Sequence, residues 1–165
     1  MHVFVTGGTG LIGRSLVKRL VMRGDEVTVL TRQSLTNEHS VTYITDIDQL
    51  ERVADAVVNL AGEGLAEKRW TELYKQKIRA SRVGLTETLV SHLTKMGAPK
   101  VFLSGSAIGY YGASESEQFS EQAPSGVGFG ANLCVDWEQS ARLLDQQGTR
   151  CVLLRTGVVL DKHVG

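Results

Sequence analysis

Three glycines at three-residue intervals, Gly7, Gly10 and Gly13, stand in the run Thr6-Gly7-Gly8-Thr9-Gly10-Leu11-Ile12-Gly13. Glycines so spaced suit a turn that brings backbone close to a phosphate. Such a turn must leave a strand sharply, let main chain approach a pyrophosphate, and let the next helix pack close to the sheet. Gly7, Gly10 and Gly13 are placed for those three tasks. A helix opening near Leu11 aims its amides and the positive end of its dipole at the phosphates. Thr9, Leu11 and Ile12 complete that phosphate-facing stretch. The context agrees, since the strand-like His2-Val3-Phe4-Val5 precedes the glycines and a helical pattern follows them.

The second informative position is Leu30-Thr31-Arg32, the end of the next strand-like run. A site for NAD ends this strand with an acid that accepts hydrogen bonds from the ribose hydroxyls. Here there is no acid. Thr31 is followed by Arg32, whose planar, permanent charge suits a 2′-phosphate. The expected cofactor is NADP(H), with Thr31 and Arg32 at its adenosine end.

The elements that must position these groups alternate along the chain. Strands are expected over residues 3–6, 26–31, 41–45, 56–60, 101–104 and 150–160. Helical spacing covers 11–23, with Ile12, Leu16 and Leu20 as its apolar face. It returns over 71–96, with Leu73, Ile78, Leu85, Leu89 and Leu93 facing inward, and over 131–147. Residues 48–53 suggest a weak helical turn. Residues 105–130 are rich in Gly, Ser and Glu, and a connection of that length is usually functional or mobile. Strands separated by helical crossovers predict an α/β, doubly wound parallel sheet, a Rossmann fold with strand order 3-2-1-4-5-6 and helices on both faces. The ligand crevice then lies at the carboxyl ends of the first and fourth strands.

Composition narrows the classes. The 165 residues suffice for one domain. Lys plus Arg equals Asp plus Glu at 18 each, so no nucleic acid or anionic membrane is expected as a partner. No apolar run approaches the ~20 residues needed to cross a bilayer. With Met1 leading directly into the first strand, no signal peptide is expected. Cys134 and Cys151 form no Cys-x-x-Cys, and the four histidines lack ligand spacing, so a reduced, cytoplasmic, metal-free protein is expected.

The Gly-x-x-Gly-x-x-Gly spacing resembles the short-chain dehydrogenase/reductase superfamily, extended type. Asn59-Leu60-Ala61-Gly62 is similar to its Asn-Asn-Ala-Gly element. Several phrases sharpen this to the atypical, sugar-nucleotide epimerase-like group, the epimerase family. They are Asn59-Leu60-Ala61-Gly62-Glu63, Arg69-Trp70-Thr71, Ile78-Arg79-Ala80-Ser81-Arg82, the stretch from Ser104 through Tyr110-Tyr111-Gly112, Trp137-Glu138, and Leu154-Arg155-Thr156-Gly157. The resemblance implies NADP(H), with Leu60, Ala61 and Gly62 flanking its adenosine half. It also places Arg82 and Lys77 near the cofactor. Lys75 and Arg79 on the same helix read as a solvated basic stripe.

Typical members use a Ser or Thr with a Tyr and a Lys four residues apart on a helix, the Lys and the cofactor easing proton exchange at the phenol. That pair is missing. Counting back from Glu138, which resembles the acid closing the helix motif, puts Gly130 at the Tyr position and Cys134 at the Lys position. Cys134 has no neighbouring cation or histidine in sequence and reads as a buried small hydrophobe. Ser106 and Tyr111 remain as candidate catalytic residues, Ser106 for a substrate oxygen. The family places a largely structural Tyr-Gly pair at Tyr111, and the alternative is a polar loop covering the cofactor.

The expected function is that of an NADP(H)-binding oxidoreductase or epimerase-like enzyme acting on an unidentified small molecule, with a nucleotide sugar as one candidate. The alternative is a non-catalytic NADP(H)-sensing module with a protein partner. The resemblance also implies that a C-terminal substrate-binding segment follows residues 1–165. Without it, apolar surface on the sixth strand would be exposed, and pairing with a second copy is an expectation.

Overall fold

The computed structural model describes residues 1–65 and 68–160. Its β-branched runs form strands because both faces of the sheet are buried. They are β1 (His2–Thr6), β2 (Glu26–Leu30), β3 (Val41–Ile44), β4 (Ala56–Asn59), β5 (Val101–Ala107) and β6 (Arg150–Thr156). All neighbours pair in parallel, in the order β3-β2-β1-β4-β5-β6. The crossovers contain α1 (Leu11–Met22), α2 (Glu72–Arg79), α3 (Leu85–Met96) and α4 (Phe129–Arg142).

Alternation along β1 divides the core in two. Val3 and Val5 join Val27 and Val29 against Val17 and Leu20 of α1. Phe4 points the other way, with Val57 and Phe102 against Leu89 and Leu93 of α3 and Leu144. Strand periodicity of two thus produces a sheet covered on both faces. The expected fold class and strand order are those observed.

Local expectations shift in four places. The buried stripe of α1 is Gly13, Val17 and Leu20, and Ile12 is exposed. The helix is rotated so that Gly13, which has no side chain, meets the turn. The segment 71–96 is not one helix, because a π-helical turn, Ala80–Gly84, separates α2 from α3. Tyr74 and Ile78 are the inward residues of α2, and Leu73 faces solvent. Strand β5 continues to Ala107, three residues past its expected end, whereas β6 stops at Thr156. Beyond β6, Val158, Val159 and Leu160 are exposed. Residues 161–165, which entered the expectation of a missing closing segment, lie outside the described residues. Among the described residues, no helix is long and apolar enough to cross a membrane.

Candidate functional site

The glycine turn leaves β1 as anticipated. Gly7 has φ +70°, a left-handed conformation that side chains disfavour. A Cβ there would stand 2.7 Å from the backbone of Leu60 and Ala61. A Cβ on Gly13 would run into the Gly7 carbonyl oxygen. The Gly10 amide donates to that same oxygen at 3.0 Å, closing the turn. Gly10 is the N-cap of α1, and no side chain caps the helix. The opening amides of Leu11, Ile12 and Gly13 therefore form a donor cluster at the positive end of the dipole. The cradle is shaped for a pyrophosphate by two positions that only glycine fills, and its amides match that group's charge.

A buried polar chain fixes the turn to its neighbours. Thr6 donates its hydroxyl to Asn59 Oδ1 at 2.6 Å and accepts the Ala61 amide at 3.2 Å. Asn59 Nδ2 and Trp137 Nε1 both donate to Thr86 Oγ1, at 2.8 and 3.0 Å. These linked bonds lock the carboxyl ends of β1 and β4 to α3 and α4. Trp137 is buried in this role.

Above the turn opens a cleft of about 860 Å³. Its floor carries Gly7, Thr9 and Gly10, one wall carries Thr31 and Arg32, and the other carries Leu60, Ala61, Gly62 and Lys77. Nine of the sequence-nominated residues thus meet in one cavity. Glu63 and Ser81, which sequence reasoning did not nominate, line it too. The Arg32 side chain is 93% exposed, and its Nη1 lies 3.6 Å from Glu63 Oε2. Arg82 sits beneath the cleft. It donates to the Glu63 carbonyl at 3.0 Å, and its guanidinium carbon lies 5.5 Å from the centre of the Trp137 ring. Burial draws the Arg82 value below that of an ordinary guanidinium. The π turn makes this arrangement, since one extra residue per turn brings Ser81 and Arg82 under the β4 loop.

Ser106 and Tyr111 lie at the carboxyl ends of β5 and β6, outside that cleft. Ser106 is buried and donates to Glu138 Oε1 at 2.6 Å. Arg155 forks onto Glu138, Nε to Oε1 at 2.7 Å and Nη2 to Oε2 at 2.8 Å. Its Nη1 donates to the Tyr111 hydroxyl oxygen at 2.8 Å and to the Glu121 carbonyl at 3.1 Å. Its guanidinium also lies 3.5 Å from the centre of the Tyr110 ring. Burial pushes the Glu138 carboxyl upward, but the bonds from Arg155 and Ser106 prevail and hold it below its ordinary value. The same pairing raises Arg155. Glu138 is thus a fixed anion that organises the Tyr110-Tyr111 corner and the segment after it. The sequence match at Trp137-Glu138 and at Arg155 was the available signal, but nothing in it told that the two charges pair.

The helix position expected to hold a Tyr–Lys pair carries neither. Gly130 lies in the first turn of α4, and Cys134 is buried one turn on. Burial raises the Cys134 thiol, and raises Cys151 to about 11. A thiol raised above its ordinary value stays protonated at neutral pH and is a poor nucleophile. Cys134→Ala should therefore leave dinucleotide affinity within about twofold of wild type, costing only some packing. A fluorescence titration of the variant checks this, and a tenfold loss would place the thiol in the site.

The same architecture recurs in solved proteins. The human epimerase family protein SDR39U1, crystallised with NADPH, superposes with TM-score 0.87 at 35% identity, covering 100% of this chain and 56% of that one. A nucleoside-diphosphate sugar epimerase from Corynebacterium glutamicum gives 0.84 at 32%, covering 100% and 35%. The epimerase family protein Mb2239 of Mycobacterium bovis is 37% identical over 167 residues, 99% of this chain and 55% of its own length. The chain spans about half the length of the curated relatives it matches. The model of the NAD dependent epimerase/dehydratase family matches residues 3–159, from β1 through the end of β6. With the glycine cradle, the cleft and the strand order falling inside that match, the chain belongs to the NAD dependent epimerase/dehydratase family.

Proposed function

We propose that this chain is the NADP(H)-binding domain of an oxidoreductase or epimerase-like enzyme acting on a small molecule, with a nucleotide sugar as one candidate. The observation that carries the reading is the cleft itself, with a phosphate cradle on its floor and an exposed Arg32 on the wall where an acid would mark NAD. That human SDR39U1 was crystallised with NADPH supports it.

The Leu11, Ile12 and Gly13 amides would hold the pyrophosphate, and Arg32 the 2′-phosphate. Leu60, Ala61 and Gly62 would flank the adenosine half, with Lys77 at the cleft wall. The cofactor supplies hydride chemistry when bound. At the other end, Arg155 donates into the Tyr111 phenol oxygen, so the phenol's own hydrogen is the one left for a substrate oxygen. Ser106 gives its hydrogen to Glu138 and acts by supporting that anion.

Arg32→Asp tests the cofactor assignment. A charge-assisted contact is worth roughly 1.5–3 kcal/mol, so wild type should prefer NADPH over NADH by about tenfold or more. The variant should erase or reverse this in calorimetry. Unchanged selectivity in the variant would remove Arg32 from the account.

Gly130 and Cys134 in place of the Tyr–Lys pair favour a second reading, an NADP(H)-sensing module without turnover. Oxidation of bound NADPH by any member of a carbonyl and nucleotide-sugar panel separates the two.

A further inference from the structure

The Arg32 guanidinium has a partner already in place. Among the described residues its one ion pair is with Glu63, at 3.6 Å. Arg32 follows β2 and Glu63 follows β4, so the pair spans the cleft mouth above β1 and the glycine turn. The two ends differ in freedom. The Arg32 side chain is 93% exposed, whereas that of Glu63 is 24% exposed. The Glu63 backbone is also clamped on both sides. Its amide donates to Ser81 Oγ at 2.9 Å, and its carbonyl accepts from Arg82 Nη2 at 3.0 Å. Ser81 is itself held, donating to the Ile78 carbonyl at 2.8 Å. The π turn therefore holds the Glu63 backbone in place, with its half-buried carboxylate opposite a solvent-exposed guanidinium.

We propose that Glu63 is a specificity-determining residue that acts through Arg32, competing with the 2′-phosphate of the incoming dinucleotide for the guanidinium. The inference rests on the NADP(H) reading above. Before a dinucleotide binds, Glu63 draws Arg32 across the mouth. A ligand with a 2′-phosphate replaces one anion by another of higher charge. A ligand without it offers Arg32 no such exchange. Glu63 thus lowers NADPH affinity below what Arg32 alone would give.

The test is a set of calorimetric titrations of the 165-residue chain with NADPH, NADH, 2′,5′-ADP and 5′-AMP. Glu63→Gln keeps the side-chain volume and removes the charge. It should tighten NADPH and 2′,5′-ADP by about two- to fivefold, the range an exposed ion pair commands, and change NADH and 5′-AMP by less. In an Arg32→Gln background the same substitution should give a gain smaller than about 1.5-fold, because the competition has lost its object. Glu63→Asp, retaining the charge on a shorter stem, should fall between wild type and Glu63→Gln. A loss of affinity for all four ligands would make Glu63 a direct ligand and overturn the proposal. So would an equal gain for all four, no change, or a full gain that persists without Arg32. Wild-type titrations in the same series keep the two claims apart. Equal NADPH and NADH affinities there would defeat the NADP(H) reading and this inference with it. A clear NADPH preference that Glu63→Gln leaves untouched would defeat this inference alone.

Discussion

Gly13→Ala should abolish useful dinucleotide binding. The added methyl meets the Gly7 carbonyl oxygen and stands 2.7 Å from the Gly8 Cα, both backbone atoms that cannot rotate away. Either α1 moves out from the sheet or the turn opens, and both displace the amides of Leu11 and Ile12 from the phosphates. Losing two charge-assisted hydrogen bonds at roughly 1.5 kcal/mol each is about 3 kcal/mol, or a hundredfold or more in affinity. Overpacking adds about 1–3 kcal/mol of lost stability. Gly130→Ala is the control, since a Cβ there meets nothing within 4 Å. A Gly13→Ala protein that binds NADPH within threefold of wild type (roughly 0.6 kcal/mol) would show that the cradle is not the phosphate site.

The second large effect belongs to Glu138. Its side chain is 7% exposed and that of Arg155 is 17% exposed, so a buried carboxylate meets a part-buried guanidinium in a bidentate pair. Glu138→Ala leaves Arg155 without its counter-charge and Ser106 without an acceptor, and removing one partner of such a pair costs about 3 kcal/mol or more. Because Arg155 also holds the Tyr111 hydroxyl and the Glu121 carbonyl, the segment after Tyr111 should loosen first, seen as faster amide exchange there. The pH dependence has a definite sign. The folded carboxyl lies below its ordinary value of 4.5, so its stabilisation is complete above that pH and fades as pH falls through the depressed folded value. Wild type and Glu138→Ala should therefore converge in denaturant melts taken progressively below pH 4.5. A stability gap that stays constant to pH 3 would mean that the variant's loss is packing rather than charge.

The sheet was legible because buried parallel strands leave an unmistakable trace, as in Val3-Phe4-Val5, Val27-Thr28-Val29 and Val57-Val58. The glycine turn was legible because its geometry admits few other residues. What escaped notice involves registration between distant segments. The π turn at Ala80–Gly84 inserts one residue into a helical pattern whose apolar positions, Ile78, Val83, Leu89 and Leu93, still look continuous. Leu73 and Tyr74 are adjacent apolar residues, and only packing decides that Tyr74 turns inward. Glu138 and Arg155 are seventeen residues apart on a helix and a strand, and no local spacing reveals a fork between them. Glu63 belongs to a family phrase, yet its link to Arg32 depends on the β2 and β4 ends flanking the same turn.

On the NADP(H) reading, this cleft holds a dinucleotide carrying a 2′-phosphate. Native mass spectrometry of the chain with an equimolar mixture of NADP⁺ and NAD⁺, below saturation, measures that choice in one spectrum. A 1:1 adduct in which NADP⁺ exceeds NAD⁺ by about tenfold is expected, as one charge-assisted contact requires. Adducts of equal abundance, or no adduct with either nucleotide, would contradict it.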